Sequence, residues 1–175
     1  MITRILLAAV LGLFLTTSIS IAQTPKYIGA AKCKPCHNSP AKGEQYNQWA
    51  STTHATAFET LKNEKSMEYA KANGIADPTK EASCLKCHST AAAVDPGLNI
   101  SMKIEEGVTC ESCHGPGSLY KAPTIMKSRE ASIQNGLILP TQELCITCHN
   151  PENPFHKEFN FDEYYAKISH KAPQK

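Results

Sequence analysis

Two cysteines separated by two residues and followed at once by a histidine occur four times in this chain. The four sites are Cys33 and Cys36 with His37, Cys84 and Cys87 with His88, Cys110 and Cys113 with His114, and Cys145 and Cys148 with His149. They use all eight cysteines. On one turn of helix, two thiols at this spacing can add to the vinyl groups along one edge of a porphyrin, and the next imidazole can then bind the iron. The pattern therefore predicts four covalently attached haem c groups, each with its iron on a motif histidine.

Disulfides and zinc are the other common uses of paired cysteines. An even number of cysteines in an exported chain favours disulfides, and two C-x-x-C units can form a four-sulfur zinc site. Neither use explains the histidine that follows every second cysteine. Haem attachment explains both residue types, so it is favoured over both alternatives.

The supply of histidines limits how the irons can be ligated. Three histidines lie outside the motifs, namely His54, His156 and His170. Four irons with two histidines each would need one histidine more than the seven in the chain. At least one iron is therefore open, or takes a methionine, a lysine, a hydroxyl group or a partner's side chain. The internal sulfur candidates are Met67, Met102 and Met126, and a methionine ligand would raise the potential of its haem.

The local sequence suggests where two of these histidines lie. A helix is expected to begin near Ser39 and Pro40 and to continue to Leu61, with His54 on its apolar face. A short final helix capped by Asp162 would place His170 just beyond its end. A helix over residues 66–72 is also expected, while residues 91–107 and 121–140 read as irregular connections. His54 and His170 are thus the first choices for additional iron ligands.

The first 22 residues have the pattern of a secretory signal peptide. Arg4 precedes an apolar stretch over residues 5–15, and small residues surround position 20. We expect a signal peptide over residues 1–22, a mature domain over residues 23–175, and a periplasmic or otherwise exported location. The apolar stretch is shorter than the ~20 residues of a membrane-spanning helix, so an uncleaved anchor is the less favoured alternative. Without Arg4 the chain has 17 basic and 16 acidic side chains, a balance that does not favour nucleic-acid binding.

Large apolar side chains are scarce in the mature region, which has a single tryptophan. Side chains of this kind would make a weak core on their own. Four porphyrins among so few residues would lie against one another and supply apolar surface for the interior. We expect a compact multihaem cytochrome c fold, with the four covalently bound haems forming the core and long irregular connections between helices.

Four stretches of the sequence resemble the cytochrome c-554 family of tetrahaem periplasmic electron carriers. They are "YIGAAKCKPCH", "WASTTHATAFETL", "EGVTCESCHGPGSLY" and "CHNPENPFHKEFNFDEYYAKISH", and the likeness covers nearly all of residues 27–170. The resemblance implies a mainly α fold with haems in stacked pairs. It further implies three irons with two histidine ligands and one five-coordinate iron.

The same resemblance implies roles for particular residues. The open iron would be the one on His88, with its vacant face sheltered by a segment that matches Asn153, Pro154 and Phe155. His54 and His170 match family positions that bind iron from the second side. Some relatives have a histidine shortly after "CHGPGS", where this chain has Leu119 and Tyr120. The third such ligand is then His156 by elimination, and if His156 is only a surface residue, a second iron is open.

Three functions are compatible with these features. The favoured one is an electron carrier between redox partner proteins, such as an oxidoreductase and quinol-linked or other cytochromes. An enzyme that reduces or oxidises a small nitrogen species or peroxide at the five-coordinate haem is the first alternative. A subunit of an extracellular cytochrome filament, with ligands exchanged between chains, is the second.

Overall fold

The fold is built from short helices that alternate with turns. The structure is a computed structural model that describes residues 23–170, so the expected signal peptide over residues 1–22 lies outside the described residues. The helices are α1 (Lys34–His37), α2 (Gln45–Ala50), α3 (Ala57–Thr60), α4 (Glu64–Ala72), α5 (Ala82–His88), α6 (Thr90–Ala93), α7 (Cys110–His114), α8 (Pro123–Met126), α9 (Arg129–Gln134), α10 (Gln142–Ile146) and α11 (Phe161–Ile168). Within these residues, β pairing is confined to one isolated bridge between Tyr27 and Asn99. The mainly α fold predicted from the sequence is confirmed.

Single turns of 3-10 helix occupy several of the connections, at Ala30–Lys32, Pro40–Lys42, Pro96–Leu98 and Ile104–Glu106. The longest helix, α4, has nine residues. No helix within residues 23–170 combines the length and the apolar character needed to cross a bilayer.

The side-chain core is small. Phe58, Leu61 and Leu85 form one buried apolar cluster, against which the half-buried Cys84 packs. Several of the most deeply buried side chains are polar, among them Glu111 and Thr109. A core of this size agrees with the expectation that apolar side chains alone fill little of the interior.

The structure divides the helix expected over residues 39–61. Residues 51–56 form turns between α2 and α3, and His54 lies in these turns. The hydroxyl of Ser51 donates to the carbonyl of Gln48, and that of Thr52 donates to the carbonyl of Trp49. Hydroxyl side chains that bond to the preceding carbonyls compete with the helical ladder. The run of Ser and Thr therefore ends α2 before the apolar pattern is exhausted.

Two other expectations about helices need correction. Residues 121–140 contain α8 and α9, where a wholly irregular connection was expected; Pro123 opens α8, and the hydroxyl of Ser128 caps α9 by accepting from the Ala131 N–H at 3.1 Å. The final helix is capped by Asn160, whose side-chain oxygen accepts from the Glu163 N–H at 3.1 Å, and not by Asp162. The first residues of α8, α9 and α11 follow ordinary capping preferences, under which several adjacent polar residues can compete for the cap position.

Candidate haem-iron centres

Each C-x-x-C-H motif lies on or next to a single turn of helix. Two of these turns are α1 and α7, which end at the motif histidines His37 and His114. The hydroxyl of Thr109 caps α7 by accepting from the Glu111 N–H. Because residues three apart share one face of a helix, both thiols of a motif can face the same edge of one porphyrin.

Four histidines have their Nδ1 atoms turned to acceptors in the protein. His88 donates from Nδ1 to the carbonyl of Ala57 at 2.7 Å. His114, His170 and His37 make contacts of the same kind with the Ile138 carbonyl, the Ile168 carbonyl and the Gln45 side-chain oxygen, at 3.3, 3.2 and 3.3 Å. Metal-binding histidines usually donate their other ring N–H in this way, which fixes the ring and leaves Nε2 for the metal. The arrangement fits iron ligation through Nε2.

Two of the non-motif histidines lie opposite motif histidines. The ring centres of His54 and His149 are 6.0 Å apart, and those of His170 and His114 are 5.9 Å apart. Two imidazoles bound to one iron from opposite sides would have ring centres about 6 Å apart, because each metal–nitrogen bond is about 2 Å long. The structure thus brings together two pairs of histidines, each of which could supply both imidazole ligands of one iron.

Burial favours the neutral form of these imidazoles. It lowers the pKa of His54, with a further contribution from the neighbouring His149. Burial also lowers the pKa values of His114 and His149. Neutral imidazole is the form that binds a metal, so the site favours the state that ligation requires.

The thiols of different motifs lie near one another, and Cys113 of the third motif has both cysteines of the fourth as neighbours. A hydrogen bond with Cys33 raises the pKa of Cys110, which places the first motif beside the third. A hydrogen bond with Cys148 raises the pKa of Cys87, which places the second motif beside the fourth. Motifs distant in sequence are therefore adjacent in space, as stacked pairs of haems would need.

Each pair of motifs lines a cavity. The first cavity, of about 260 Å³, is lined by residues of the first and third motifs, together with His54 and His170. The second cavity, of about 420 Å³, is lined by residues of the second motif and by Cys148 of the fourth. Its wall also includes Asn153, Pro154 and Phe155, the segment that the resemblance places over the iron on His88.

His156 is placed differently from the other two non-motif histidines. It is exposed and follows the 153–155 segment, where its N–H donates to the Asn153 carbonyl at 2.9 Å. Among the described residues, neither of the two histidine pairs includes it. Its role as an iron ligand stays a prediction.

A buried glutamate inside the third motif joins this motif to the first. Glu111 is 1 % exposed, and its carboxylate accepts from the N–H groups of Ile28, Gly29 and Gly117 at 2.7 to 3.0 Å. Ile28 and Gly29 lie just before Cys33 in the sequence, so these hydrogen bonds tie the third motif to the start of the first. Sequence reasoning missed this residue, because a glutamate between two cysteines gives no sign of which distant amides it will meet.

The backbone of His54 is held by the segment that precedes the third motif. The carbonyl of His54 accepts from the Val108 N–H at 3.0 Å. The indole N–H of Trp49 donates to the Val108 carbonyl at 2.9 Å. Gly107 has a φ of +70°, and a Cβ there would lie 2.9 Å from the His54 carbonyl oxygen. Only glycine allows this close approach without strain, so Gly107 positions His54.

Six of the eight cysteines line one cavity or the other, three in each. All eight cysteines lie among the described residues, and none forms a disulfide. Within residues 23–170, no group of three or more His, Cys, Asp or Glu side chains is arranged to hold a metal ion directly. Two thiols and an imidazole at one edge of a cavity, with a second imidazole opposite, fit the donors that haem c requires.

A mainly helical chain with these motifs and facing imidazoles is a c-type cytochrome. The sequence profile described as cytochrome c554 and c-prime matches residues 32–115. A relative named cytochrome c-554, from Nitrosomonas europaea, is 30% identical over 189 aligned positions, which cover 88% of this chain and 78% of the relative. The chain belongs to the cytochrome c-554 family, as the resemblance of its four longer stretches predicted. No solved structure matches it.

Proposed function

We propose that the mature chain is a periplasmic tetrahaem cytochrome that carries electrons between redox partner proteins. Each haem c would supply a one-electron iron couple. The residues that would attach the four groups are Cys33, Cys36, Cys84, Cys87, Cys110, Cys113, Cys145 and Cys148, with the motif histidines as first iron ligands. The common geometry of the motifs supports one haem at each of them.

The observation that carries this proposal is the pairing of His54 with His149 and of His170 with His114. An iron with an imidazole on each side has no position left for a substrate, but it can still accept and donate an electron. At least two of the four centres would therefore serve electron transfer alone. The pairing of the first motif with the third, and of the second with the fourth, would bring these centres close to their neighbours.

Export and partners belong to the same proposal. The first 22 residues support export, because covalent haem attachment at an exported site requires a signal of this kind. The partners would be oxidoreductases or other cytochromes that dock transiently. N-terminal sequencing of the protein from a periplasmic extract should find Gln23 at or near the start, and an intact Met1 would contradict the proposed cleavage.

An electron titration tests the carrier function. The haem-loaded protein is reduced stepwise under anaerobic conditions and then mixed with an oxidised soluble c-type cytochrome. A carrier should take up one electron per haem and pass all of them to the acceptor, without consuming hydroxylamine, nitric oxide or peroxide. Rapid turnover of any of these molecules, with little transfer to the acceptor, would contradict the proposal.

The second cavity favours an alternative function at the iron on His88. The ammonium group of Lys65 lies 4.6 Å from the ring centre of Phe155, and the ring of Tyr69 lies 5.4 Å from it. Both side chains line the cavity and could donate protons to a bound small molecule. These donors come from α4, far from residues 153–155 in sequence, so sequence reasoning did not find them.

The variants Lys65→Ala and Tyr69→Phe test this alternative. If the cavity is a catalytic site, both should slow turnover of hydroxylamine or nitric oxide about 10²-fold or more, as expected for loss of a proton donor. Lys71→Ala, on the exposed face of the same helix, is the matched control. Equal turnover rates in all three variants would exclude the catalytic alternative, and electron transfer would remain the proposed function.

A further inference from the structure

We infer that the thioether sulfur of Met126 is the second axial ligand of the haem iron held by His37. The inference rests on the proposed attachment of a haem at Cys33 and Cys36. It assigns a ligand to an iron that neither of the two facing histidine pairs serves.

The histidines leave the iron on His37 without a second imidazole. His54 lies opposite His149, and His170 lies opposite His114. His156 is exposed and belongs to neither pair. Among the described residues, the second ligand of the iron on His37 would then be either the exposed His156 or a side chain of a different type.

Met126 lies in the same cavity as His37. Both line the first cavity together with Cys33. The Nδ1 atom of His37 is directed at the Gln45 side-chain oxygen, which leaves Nε2 for an iron inside the cavity. The thioether of Met126, on the wall of the same cavity, could then supply the second ligand of that iron.

Most polar side chains of the first cavity already have partners. The Tyr120 hydroxyl donates to the carbonyls of His114 and Gly115 at 3.1 and 2.9 Å. The indole N–H of Trp49 donates to Val108, and the hydroxyl of Thr52 donates to Trp49. These groups would lose a hydrogen bond by turning to an iron, at a cost of about 1 kcal/mol each. Tyr46 also lines the cavity, and its phenol oxygen is the rival ligand.

The other two internal methionines are placed less well. Met67 on α4 is 46 % exposed. Met102 is 7 % exposed, and its sulfur accepts from the Thr109 hydroxyl at 3.9 Å. The structure therefore selects Met126 among the three sulfur candidates.

The backbone around Met126 is held in place. Met126 is the last residue of α8, and its N–H donates to the Ala122 carbonyl at 2.8 Å. The hydroxyl of Ser132 donates to the Ile125 carbonyl at 3.2 Å and so joins α8 to α9. A fixed helix end lets a flexible thioether reach a defined point without ordering a whole loop.

A thioether ligand would give this haem a distinct potential. Methionine stabilises ferrous iron relative to a second histidine and raises the haem potential. The haem on His37 would then be the most oxidising of the six-coordinate centres, and electrons entering the protein would collect there.

The test uses the haem-loaded protein and its spectra. The oxidised wild type should show the weak sulfur-to-iron charge-transfer band of histidine–methionine haem. Met126→Leu should abolish the band, and carbon monoxide should then bind one more haem per chain than in the wild type. Met67→Leu is the matched control and should change neither property.

Four further variants keep the inference falsifiable. Cys33→Ala combined with Cys36→Ala should remove the band along with one haem by mass, which ties the band to the first motif. Met126→His should keep that haem six-coordinate, with a lower potential. Absence of the band from a wild type with four attached haems overturns the inference and leaves the carrier proposal intact. If Tyr46→Phe or His156→Ala removed the second ligand of the iron on His37, that result would also overturn the inference.

Discussion

The ring centres of His54 and His149 lie 6.0 Å apart, and the two imidazole planes are inclined at 79°. The two residues are almost a hundred positions apart in sequence. Their approach depends on the turns that follow α2 and on the segment over residues 107–108, which holds the His54 backbone. This relationship supports assigning His54 to the fourth motif, a detail that the sequence alone left open.

Replacement of His54 by alanine should convert one low-spin haem to high-spin, because the iron on His149 would lose its second imidazole. Electron paramagnetic resonance of the oxidised protein measures the change directly. Thr53→Ala, at an exposed neighbouring position, should leave the spectrum unchanged. A His54→Ala spectrum identical to that of the wild type would remove His54 from the ligand set.

Replacement of Gly107 by alanine should destabilise the protein by about 1–3 kcal/mol, because alanine is strained at positive φ. The new Cβ would also lie 2.8 Å from the Ala55 carbonyl oxygen and displace the His54 segment. Chemical unfolding measures the loss, and a partial rise in high-spin haem should accompany it.

The variant Gly74→Ala separates the effect of backbone strain from the effect of the close contact with the His54 segment. Gly74 also has a φ of +70°, but no atom lies within 4 Å of a Cβ placed there. This variant should show the backbone strain without the spectral change. If both variants behave alike, the close approach at Gly107 does not position His54.

Replacement of Glu111 by glutamine should lower the free energy of unfolding by about 1–3 kcal/mol. The amide has one acceptor oxygen in place of two, and its NH2 group would face backbone N–H donors near Ile28 or Gly117. Urea unfolding followed by haem absorbance measures the loss. Glu105→Gln, on an exposed side chain, should be close to neutral, and equal stability of both variants would contradict the bridging role of Glu111.

Asp77 should make stability depend on pH in the acid range. Hydrogen bonds from Thr79 and Lys80 lower its pKa from the ordinary 3.8 to about 2. Because the folded-state pKa lies below the unfolded one, this contribution is complete above about pH 4 and is lost as the pH falls towards 2. The effect should be small, because the Asp77 side chain is 36 % exposed and solvent screens its contacts. Asp77→Asn should be less stable than the wild type at neutral pH and should approach it near pH 2; a constant difference would contradict the assignment.

Residues whose chemistry is local could be predicted from the sequence. The C-x-x-C-H spacing predicts each attachment site within five residues. The mainly α fold and the family were predicted from the resemblance of four longer stretches. The end of α4 at Asn73 and Gly74 was also predictable, because Gly74 adopts positive φ as a helix-terminating glycine commonly does.

Contacts between distant segments could not be predicted in this way. Glu111 meets Ile28 and Gly29 across more than eighty positions, and no local pattern encodes that distance.

The break between α2 and α3 was missed partly for a related reason. The hydroxyls of Ser51 and Thr52 end α2 locally, although the apolar period continues. The hydrogen bond from the Val108 N–H to the His54 carbonyl then stabilises the turn between the helices, and this contact is distant in sequence.

The mass of the purified protein tests the central claim most directly. Under denaturing conditions that leave thioether bonds intact, the polypeptide should be heavier than its amino-acid sequence by four haem groups. Peptide mapping should place one haem on each C-x-x-C-H motif. A colourless chain with the mass of the bare polypeptide would contradict the account as a whole.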